Sequence, residues 1–381
     1  MIKSNSSALG IIFPNSYDSQ LPELTSDRTM ASVPFASRYR MVDFILSAMV
    51  NSGIGNVSLL VKENYLSLID HLGSGREWDL TRRNGGLNIV PPFASKDSAK
   101  YSGKVEAISS IYNFLNLQTE KYVVLADSNI ALNFDFKDFL NTHIASGADV
   151  TMAYVKANFG KSTKKKFALE NKDLFYALSL SKDKVKEIRT NPEVKRDINL
   201  SINIFVVERE LLIKLISEAY VDGFRFFERD VLGRQLDKLD VRAYEYTGYY
   251  ARLVGMKSYF DESMKLLDES NLEQLFAGTP VYTKVRDDNP ARYISGSVAK
   301  NVMVADGCVI EGEVENSILF RGVKIGKGAK VKNCILMQDT VVGEGAEIDY
   351  LVTDKIVTIS PGAKVSGTLD FPVYVAKGKQ V

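Results

Sequence analysis

"IGKGAKV" starts at Ile325, and two related stretches, "VGEGAEI" and "ISPGAKV", start at Val342 and Ile359, each 17 residues after the one before. A looser copy, "VADGCVI", starts at Val304. Apolar residues in this region recur every six positions, and glycine or other small residues fill the turns between them. A six-residue period is typical of a hexapeptide β-helix, whose stacked coils bury one continuous core. The repeat therefore predicts a left-handed hexapeptide β-helix over residues 293–381.

The chain before this repeat alternates between two other patterns. Its short β-rich runs are Leu9–Phe13, Val57–Val61, Tyr122–Leu125, Val150–Val155 and Ile202–Val207. Patterns typical of helices lie between several of them, among them Val42–Asn51 and Val105–Leu117. Strands that alternate with helices predict an α/β domain with a mostly parallel, Rossmann-like sheet. We assign this domain to residues 1–275 and a linker to 276–292, and we expect a ligand beyond the carboxyl ends of the strands.

Composition and charge argue against several classes of function. The 381 residues carry a net charge of +1, which does not favour a nucleic-acid or membrane partner. The apolar run Ala8–Phe13 ends at Pro14 and is too short for the core of a signal peptide, so we expect a cytoplasmic protein. Cys308 and Cys334 are too few for a disulfide framework or a zinc site, and we predict that both are small buried side chains.

The loop after the first predicted strand has an unusual composition for its place. Loops that bind phosphate at this point of an α/β fold are rich in glycine, because backbone N–H groups must approach the phosphate oxygens. Here the loop reads "FPNSYDSQL" from Phe13, with no glycine after Gly10. Pro14 has no N–H to donate, and the carboxylate of Asp18 would repel a phosphate. The loop is therefore predicted to lie where a phosphate site has been lost.

A longer stretch, "DRTMASVPFASRYRMVDFILSAMVNSGI" from Asp27 to Ile54, resembles glucose-1-phosphate adenylyltransferase, also called ADP-glucose pyrophosphorylase. The positions in register with that family's pattern are Arg28, Val33, Pro34, Phe35, Tyr39, Arg40, Asp43 and Phe44. "SLIDHL", "WDLTRRNGG" and "LAD" follow in the family's order. The resemblance implies a nucleotidyltransferase domain for residues 1–275. It also implies a role in glycogen biosynthesis, where the family joins ATP to glucose 1-phosphate, forming ADP-glucose and pyrophosphate with Mg²⁺.

The chain departs from the family at the positions that carry this chemistry. The lysine of the family's Arg-Ala-Lys is Met30 here. Asp127 matches the first metal-binding aspartate, as a vestigial ligand, whereas Leu253 stands in place of the second. The resemblance therefore implies that this chain holds no metal and no firmly bound cofactor, and that Mg²⁺ is used by a catalytic partner.

Other positions match the family's ligand-binding stretches without their full chemistry. The residues that we predict as a remnant of the nucleotide and sugar pocket are Arg28, Asn84, Gly85, Gly86, Gly103 and Ser201. The stretch Gly103–Ala107 keeps a family frame with changed side chains, and a Phe-x-Glu-Lys-Pro stretch is absent between Ala168 and Ser201. Family members respond to sugar phosphates and related metabolites, and the residues that we predict as anion contacts for such an effector are Arg38, Arg40, Lys284 and Arg292.

Three hypotheses follow for the function. In the first, the chain is a degenerate subunit of the GlgD type, inactive or weakly active alone, which assembles with the catalytic subunit into a hetero-oligomer, by resemblance a tetramer. In the second, it is an active sugar-phosphate nucleotidyltransferase with a site rebuilt around Asp127, with Asp18 as a further ligand. In the third, the β-helix is an acyltransferase, which is disfavoured because the only histidines, His71 and His143, lie outside it.

Overall fold

The computed structural model of the chain describes residues 7–82, 85–91, 101–158, 175–192 and 197–381. The helices are α1 (Pro22–Thr25), α2 (Met41–Asn51), α3 (Leu66–Leu72), α4 (Lys104–Ser109), α5 (Tyr112–Leu117), α6 (Phe136–Ser146), α7 (Arg209–Val221), α8 (Met256–Met264) and α9 (Glu269–Phe276). Shorter 3₁₀ turns cover Asp18–Gln20, Met30–Ser32, Arg76–Trp78 and Lys265–Leu267, and a π-helical turn covers Phe227–Leu232. No helix among these ranges is both long and apolar enough to cross a membrane.

The strands divide into two sets along the chain. Those of the first set are β1 (Ala8–Phe13), β2 (Pro34–Phe35), β3 (Tyr39–Arg40), β4 (Asn56–Leu60), β5 (Gly86–Val90), β6 (Tyr122–Asp127), β7 (Ile130–Leu132), β8 (Val150–Asn158), β9 (Tyr176–Ser181), β10 (Lys184–Thr190), β11 (Asp197–Glu208), β12 (Val241–Glu245) and β13 (Tyr250–Arg252). Those of the second set are β14 (Arg292–Tyr293), β15 (Val298–Val304), β16 (Val309–Ile310), β17 (Glu313–Leu319), β18 (Lys324–Ile325), β19 (Lys330–Lys332), β20 (Ile335–Leu336), β21 (Val341–Val342), β22 (Glu347–Asp349), β23 (Leu351–Thr353), β24 (Thr358–Ile359), β25 (Lys364–Ser366) and β26 (Val373–Val375).

The first set forms a central sheet in the order β5-β4-β1-β6-β11-β8-β12-β10-β9. The predicted α/β class is confirmed, and β5, β4, β1 and β6 are parallel to one another. The remaining strands make the sheet mixed rather than mostly parallel, since β11 runs antiparallel to β6 and β8, and β10 runs antiparallel to β9 and β12. The reason at β9 and β10 is local: only Lys182 and Asp183 join them, and a two-residue turn connects antiparallel strands alone.

The predicted helices are present with small differences in their bounds. Helix α2 begins one residue before the predicted Val42, where the carboxylate of Asp43 accepts the backbone N–H of Arg40 at 2.9 Å and so caps the first turn. The predicted helix Val105–Leu117 is two helices, α4 and α5. The hydroxyl of Ser110 donates to the carbonyl of Ala107 at 2.7 Å at the break between them, and such a bond competes with the regular helical ladder.

The second set forms the predicted hexapeptide β-helix. Glu313, Lys330, Glu347 and Lys364 are stacked as neighbours in adjacent parallel strands, and each step between them is 17 residues, which confirms the repeat read from the sequence. The coil interior holds a continuous apolar cluster. Cys308 and Cys334 are free and fully buried in it, as predicted.

The β-helix packs directly on the α/β domain. Tyr259 and Phe260 of α8 belong to one apolar cluster with Ile335, Met337 and Val352, which face them from the coils. Nη2 of Arg28, in the α/β domain, donates to both carboxylate oxygens of Asp354 in the β-helix, at 2.8 and 2.7 Å. Both side chains are about 95% buried. This contact joins residues 326 positions apart in the sequence.

Candidate nucleotide pocket and basic cavity

A cavity of about 310 Å³ lies beyond the carboxyl ends of β1 and β6, where the sequence predicts a ligand site. The loop from Phe13 to Ser19 forms one wall, and Gly103, Lys104 and Asp127 line it from the neighbouring elements. Parallel strands bring their carboxyl ends to one edge of a sheet, so the last residue of β6, Asp127, comes directly beside the loop that follows β1.

Both carboxylate oxygens of Asp127 have hydrogen-bond donors from this chain. The hydroxyl of Ser16 donates to Oδ1 at 2.8 Å, and the side-chain amide of Asn203 donates to Oδ2 at 2.8 Å. The same amide also donates to the hydroxyl of Tyr17, at 2.7 Å. Asp127 is 1% exposed, so these donors replace the water that a free carboxylate would bind.

The ammonium of Lys104 also contacts this carboxylate. Its Nζ lies 3.0 Å from Oδ2 of Asp127 and in hydrogen-bonding contact with Oε1 of Glu228. Burial lowers the pKa of Lys104, but the charges of Asp127 and Glu228 outweigh that effect and raise it above its ordinary value. The surroundings of Lys104 therefore favour its charged form, between two buried carboxylates.

The loop itself is held by its own side chains. Asn15 accepts the backbone N–H of Lys62 at 2.7 Å and donates to Asp18 at 2.7 Å, while Asp18 accepts the backbone N–H of Met30, also at 2.7 Å. Burial raises the pKa of Asp18 to about 7, against the lowering effect of these two hydrogen bonds. The side chains of Asn15 and Asp18 are thus bonded to each other and to the backbone of neighbouring segments.

These residues do not fit the Mg²⁺ that the family resemblance implies. Mg²⁺ requires oxygen ligands at about 2.0–2.1 Å in octahedral geometry, and the oxygens of Asp127 already receive three N–H or O–H donors. An ammonium group stands against the same carboxylate. Within the ranges that the structure describes, no three His, Cys, Asp or Glu side chains are grouped closely enough to hold a metal ion.

The structure brings only part of the predicted pocket remnant to this cavity. Gly103 lines it, and Ser201 lies behind it with its hydroxyl 3.3 Å from the amide oxygen of Asn203. Gly85 and Gly86 lie instead at the amino end of β5, at the opposite edge of the sheet, where their φ angles of 78° and 84° form a turn. Arg28 does not line the cavity, because it is paired with Asp354. Asn84 lies outside the described residues.

The two substituted family positions are apolar and buried. Met30 and Leu253 are both 0% exposed and belong to the same apolar cluster. Neighbouring Arg252 is 8% exposed, and its guanidinium lies 5.3 Å from the ring of Tyr17. A hydrophobic cluster therefore occupies the positions that carry a cation and a metal ligand in the resembled family.

A second cavity, of about 380 Å³, lies between the two domains, and we call it the basic cavity. The basic side chains that line it are Arg38, Arg40, Lys284, Arg286, Arg321, Lys355 and Lys377. Asp70 is the one carboxylate among its described lining residues. Three of the four predicted effector contacts lie here, whereas Arg292 is exposed on β14 and is not part of the lining.

The described residues neutralise only part of the positive charge of the basic cavity. Lys284 pairs with Asp70 at 3.1 Å, and Arg286 pairs with Asp288 at 3.2 Å. Among the described residues, the ammonium of Lys355 has no hydrogen-bond or ion-pair partner. Burial, and then the charges of nearby arginines, lower the pKa of Lys355 to about 7. An anion placed among these side chains would relieve this repulsion.

Sequence reasoning missed several members of both sites. Glu228 and Asn203 were not singled out, and Lys104 was placed in a family frame without a role. In the basic cavity the unforeseen members come from the β-helix or the segment before it: Arg286, Arg321, Lys355 and Lys377. One local feature could have indicated the pocket contact: Lys104 is a charged residue at the first position of α4, directly after Gly103.

Comparisons with known proteins support both domains. A family model described as nucleotidyl transferase matches residues 10–241, and a model described as GlmU-like C-terminal hexapeptide matches residues 285–370. The chain is 36% identical over 375 residues to glycogen biosynthesis protein GlgD of Bacillus subtilis (strain 168). It is 38% identical over 376 residues to glycogen biosynthesis protein GlgD of Geobacillus stearothermophilus. Both alignments cover 98% of this chain and 97% of the relative. It is also 31% identical over 328 residues to glucose-1-phosphate adenylyltransferase of Geobacillus stearothermophilus, over 85% of this chain and 82% of that protein.

Proposed function

We propose that this chain is a regulatory subunit in glycogen biosynthesis. The premise is that the chain belongs to the nucleotidyl transferase family, in the group that contains GlgD and glucose-1-phosphate adenylyltransferase. In this proposal it is non-catalytic or weakly catalytic. It assembles with a catalytic subunit that converts ATP and glucose 1-phosphate to ADP-glucose and pyrophosphate, in the cytoplasm and as a hetero-oligomer.

The observation that carries the proposal is the state of the Asp127 carboxylate. Nucleotidyl transfer needs cations and hydrogen-bond donors free to neutralise charge on the phosphates. Here the cation beside the carboxylate, Lys104, is bound by Asp127 and Glu228. Removing one preorganised transition-state donor typically lowers a rate by ~10²–10³, and this chain lacks several.

The same contacts argue against the alternative, an active nucleotidyltransferase rebuilt around Asp127. Asp18, its suggested second ligand, is bonded to Asn15 and to the backbone of Met30 rather than directed at the first carboxylate. Oδ2 of Asp127 accepts both the amide of Asn203 and the ammonium of Lys104, so a metal ion on this carboxylate would lie beside a positive charge.

We further propose that the basic cavity binds an anionic metabolite such as a sugar phosphate. Seven basic side chains surround a volume suited to a small molecule, and it lies where both domains contribute. A ligand here would contact Arg40 of the α/β domain and Lys355 of the β-helix together. It would thereby act on the relative position of the domains and, through them, on a neighbouring subunit.

The first test is the activity of the isolated chain. The purified chain, its Asp127→Asn variant and a catalytic relative prepared in the same way would be assayed for ADP-glucose synthesis with ATP, glucose 1-phosphate and Mg²⁺. We expect turnover well below the ~1–10³ s⁻¹ usual for enzymes, and no change on substitution of Asp127. Turnover in the enzymatic range that is lost in Asp127→Asn would establish the alternative instead. That variant also shows whether any trace activity comes from a contaminating enzyme.

A further inference from the structure

The contact between Lys104 and two carboxylates has features beyond an ordinary ion pair. The side chains of Lys104, Asp127 and Glu228 are 13%, 1% and 3% exposed, so the group is largely removed from water. The three residues come from different elements: the start of α4, the end of β6 and the π-helical turn Phe227–Leu232. Three parts of the domain therefore meet at one ammonium group.

The surroundings of the ammonium group favour a full positive charge at this point. Its Nζ donates to Asp127 and Glu228, and it lies 5.5 Å from the ring centres of both Phe13 and Phe205. The face of an aromatic ring attracts a cation at this distance. Two carboxylates and two ring faces thus point at one place, which is the environment of a bound cation rather than of a surface lysine.

We propose that the ammonium of Lys104 takes the place of a divalent cation in this pocket. It neutralises the aspartate that matches the family's metal position and ties it to Glu228, so that the pocket keeps its shape without metal. The inference deepens the proposed function, on which it rests: it explains how a chain can keep this buried carboxylate after losing the chemistry. A divalent cation bound to the same carboxylate would lie within a few ångströms of the ammonium, where like charges repel strongly.

Removing the ammonium should therefore create a need for another cation. Lys104→Met leaves Asp127 and Glu228 facing each other, buried and without a counter-charge. We expect this variant to melt at a lower temperature and to recover part of the loss when millimolar Mn²⁺ is added. A metal ion that binds the folded form alone raises stability by mass action.

The test uses the full-length chain without nucleotide, and melting temperature with and without MnCl₂ at constant ionic strength. The variants are wild type, Asp127→Asn, Lys104→Met, Lys104→Met with Asp127→Asn, and Lys62→Met. Lys62 lines the same cavity without contacting either carboxylate, so its substitution is the matched control. We expect Mn²⁺ to raise the melting temperature of Lys104→Met only. If Lys104→Met does not fold, Lys104→Gln, which keeps a polar side chain, takes its place in the same titration.

Two outcomes would overturn the inference. One is stabilisation of the wild type by Mn²⁺ that disappears in Asp127→Asn, which would mean that the carboxylate still binds metal. The other is a Lys104 variant that does not respond to Mn²⁺, whether it melts with the wild type or below it. An isolated chain that makes ADP-glucose would contradict the proposed function through a different readout, so the two failures can be told apart.

Discussion

The pocket beyond the sheet and the basic cavity between the domains are similar in size but opposite in charge balance. In the pocket, Lys104 satisfies two buried carboxylates, and the loop residues are bonded to one another. In the basic cavity, seven basic side chains face one carboxylate, and Lys355 has a pKa lowered to about 7 by burial and neighbouring charge. The comparison teaches that two cavities of similar volume can differ in how much of their charge is compensated, and the proposed binding of an anion in the basic cavity rests on that difference.

One ion pair lies between the two regions. Asp354, whose carboxylate holds Arg28, also accepts the backbone N–H of Lys355 at 2.7 Å. Arg28 is two residues before Met30, whose own N–H holds Asp18 of the pocket loop. A short chain of contacts therefore connects the basic cavity to the pocket loop.

The largest expected effect concerns this ion pair. Arg28→Ala leaves the carboxylate of Asp354 buried without its partner, which typically costs about 3–5 kcal/mol. The fluorescence of Trp78, the only tryptophan, reports urea unfolding of the α/β domain, and we expect its midpoint to fall markedly. The double variant Arg28→Met with Asp354→Leu should recover much of the loss. If Arg28→Ala lowered the free energy of unfolding by only ~0–1 kcal/mol, as for a surface ion pair, the buried contact between Arg28 and Asp354 would be contradicted.

The next effect concerns ligand binding in the basic cavity. The guanidinium of Arg38 makes no ion pair within the described ranges, so Arg38→Ala should remove an anion contact without disturbing the fold. A hydrogen bond to a charged group contributes ~1.5–3 kcal/mol, so affinity for glucose 1,6-bisphosphate should fall roughly 10- to 150-fold in calorimetric titration. Arg292→Ala, an exposed residue outside the cavity, is the matched control and should bind as the wild type does. Equal losses in both variants would mean that the effect is one of overall charge.

A smaller effect is expected with pH. The folded pKa of Lys355, about 7, lies below its ordinary 10.5, because burial and then Arg40, Arg28 and Lys377 disfavour its charge more than Asp354 favours it. In the free protein this cost to stability is present below pH 7 and is progressively relieved from pH 7 to about 10.5. A bound anion restores the charge, so binding should take up a proton at this lysine and strengthen as pH falls from 8 to about 7.

Proton uptake on binding can be measured by calorimetry in buffers that differ in ionisation enthalpy. Lys355→Met, which keeps an unbranched side chain only one atom shorter but cannot be charged, should abolish the part of the uptake that this lysine contributes. Uptake that is unchanged in this variant would assign the proton to another group in the cavity.

The smallest effect is expected from Met30→Lys, which restores the family's lysine. Met30 is fully buried, and the glycine loop and the aspartate at Leu253 would still be missing, so activity should stay within about tenfold of the wild-type background. The buried charge should also lower the melting temperature, whereas Met30→Leu should leave it nearly unchanged. Robust ADP-glucose synthesis by Met30→Lys would favour the rebuilt-site hypothesis.

Local patterns in the sequence were enough to predict the β-helix, because each 17-residue coil repeats its own apolar positions. Asp127 was identified through its match to the family's first metal-binding aspartate, and the structure places it at the end of β6, beside the pocket loop. Gly85 and Gly86, which were predicted for the pocket remnant, lie at the amino end of β5. Their positive φ angles form a turn there, and a Cβ at Gly86 would strike the carbonyl of Leu80, so the fold itself requires a glycine at this position.

The contacts that define the two cavities could not be read from the sequence. Lys104 and Glu228 are 124 residues apart, and no local pattern pairs them. From the sequence alone, Lys355 has the features of a solvated turn residue in a coil. In the structure the β-helix packs on the α/β domain, partly through Asp354, and this packing brings Lys355 into the same cavity as Arg40. Long-range pairing therefore decides the charge of each site, and it depends on how the two domains pack.

The most direct test of the central claim is made on a mixture. The purified chain would be combined with a catalytic glucose-1-phosphate adenylyltransferase from the same source, passed over a size-exclusion column and assayed with and without glucose 1,6-bisphosphate. If the chain acts by binding and biasing its catalytic relative, the two proteins should co-elute. The half-saturation constant, or the response to the bisphosphate, should then differ from that of the catalytic protein alone. Coupled sites typically change an affinity by roughly 5–150-fold, and we expect a difference no larger than that. Arg38→Ala should co-elute without transmitting the response to the bisphosphate. Separate elution, together with kinetics identical to those of the catalytic protein alone, would contradict the claim.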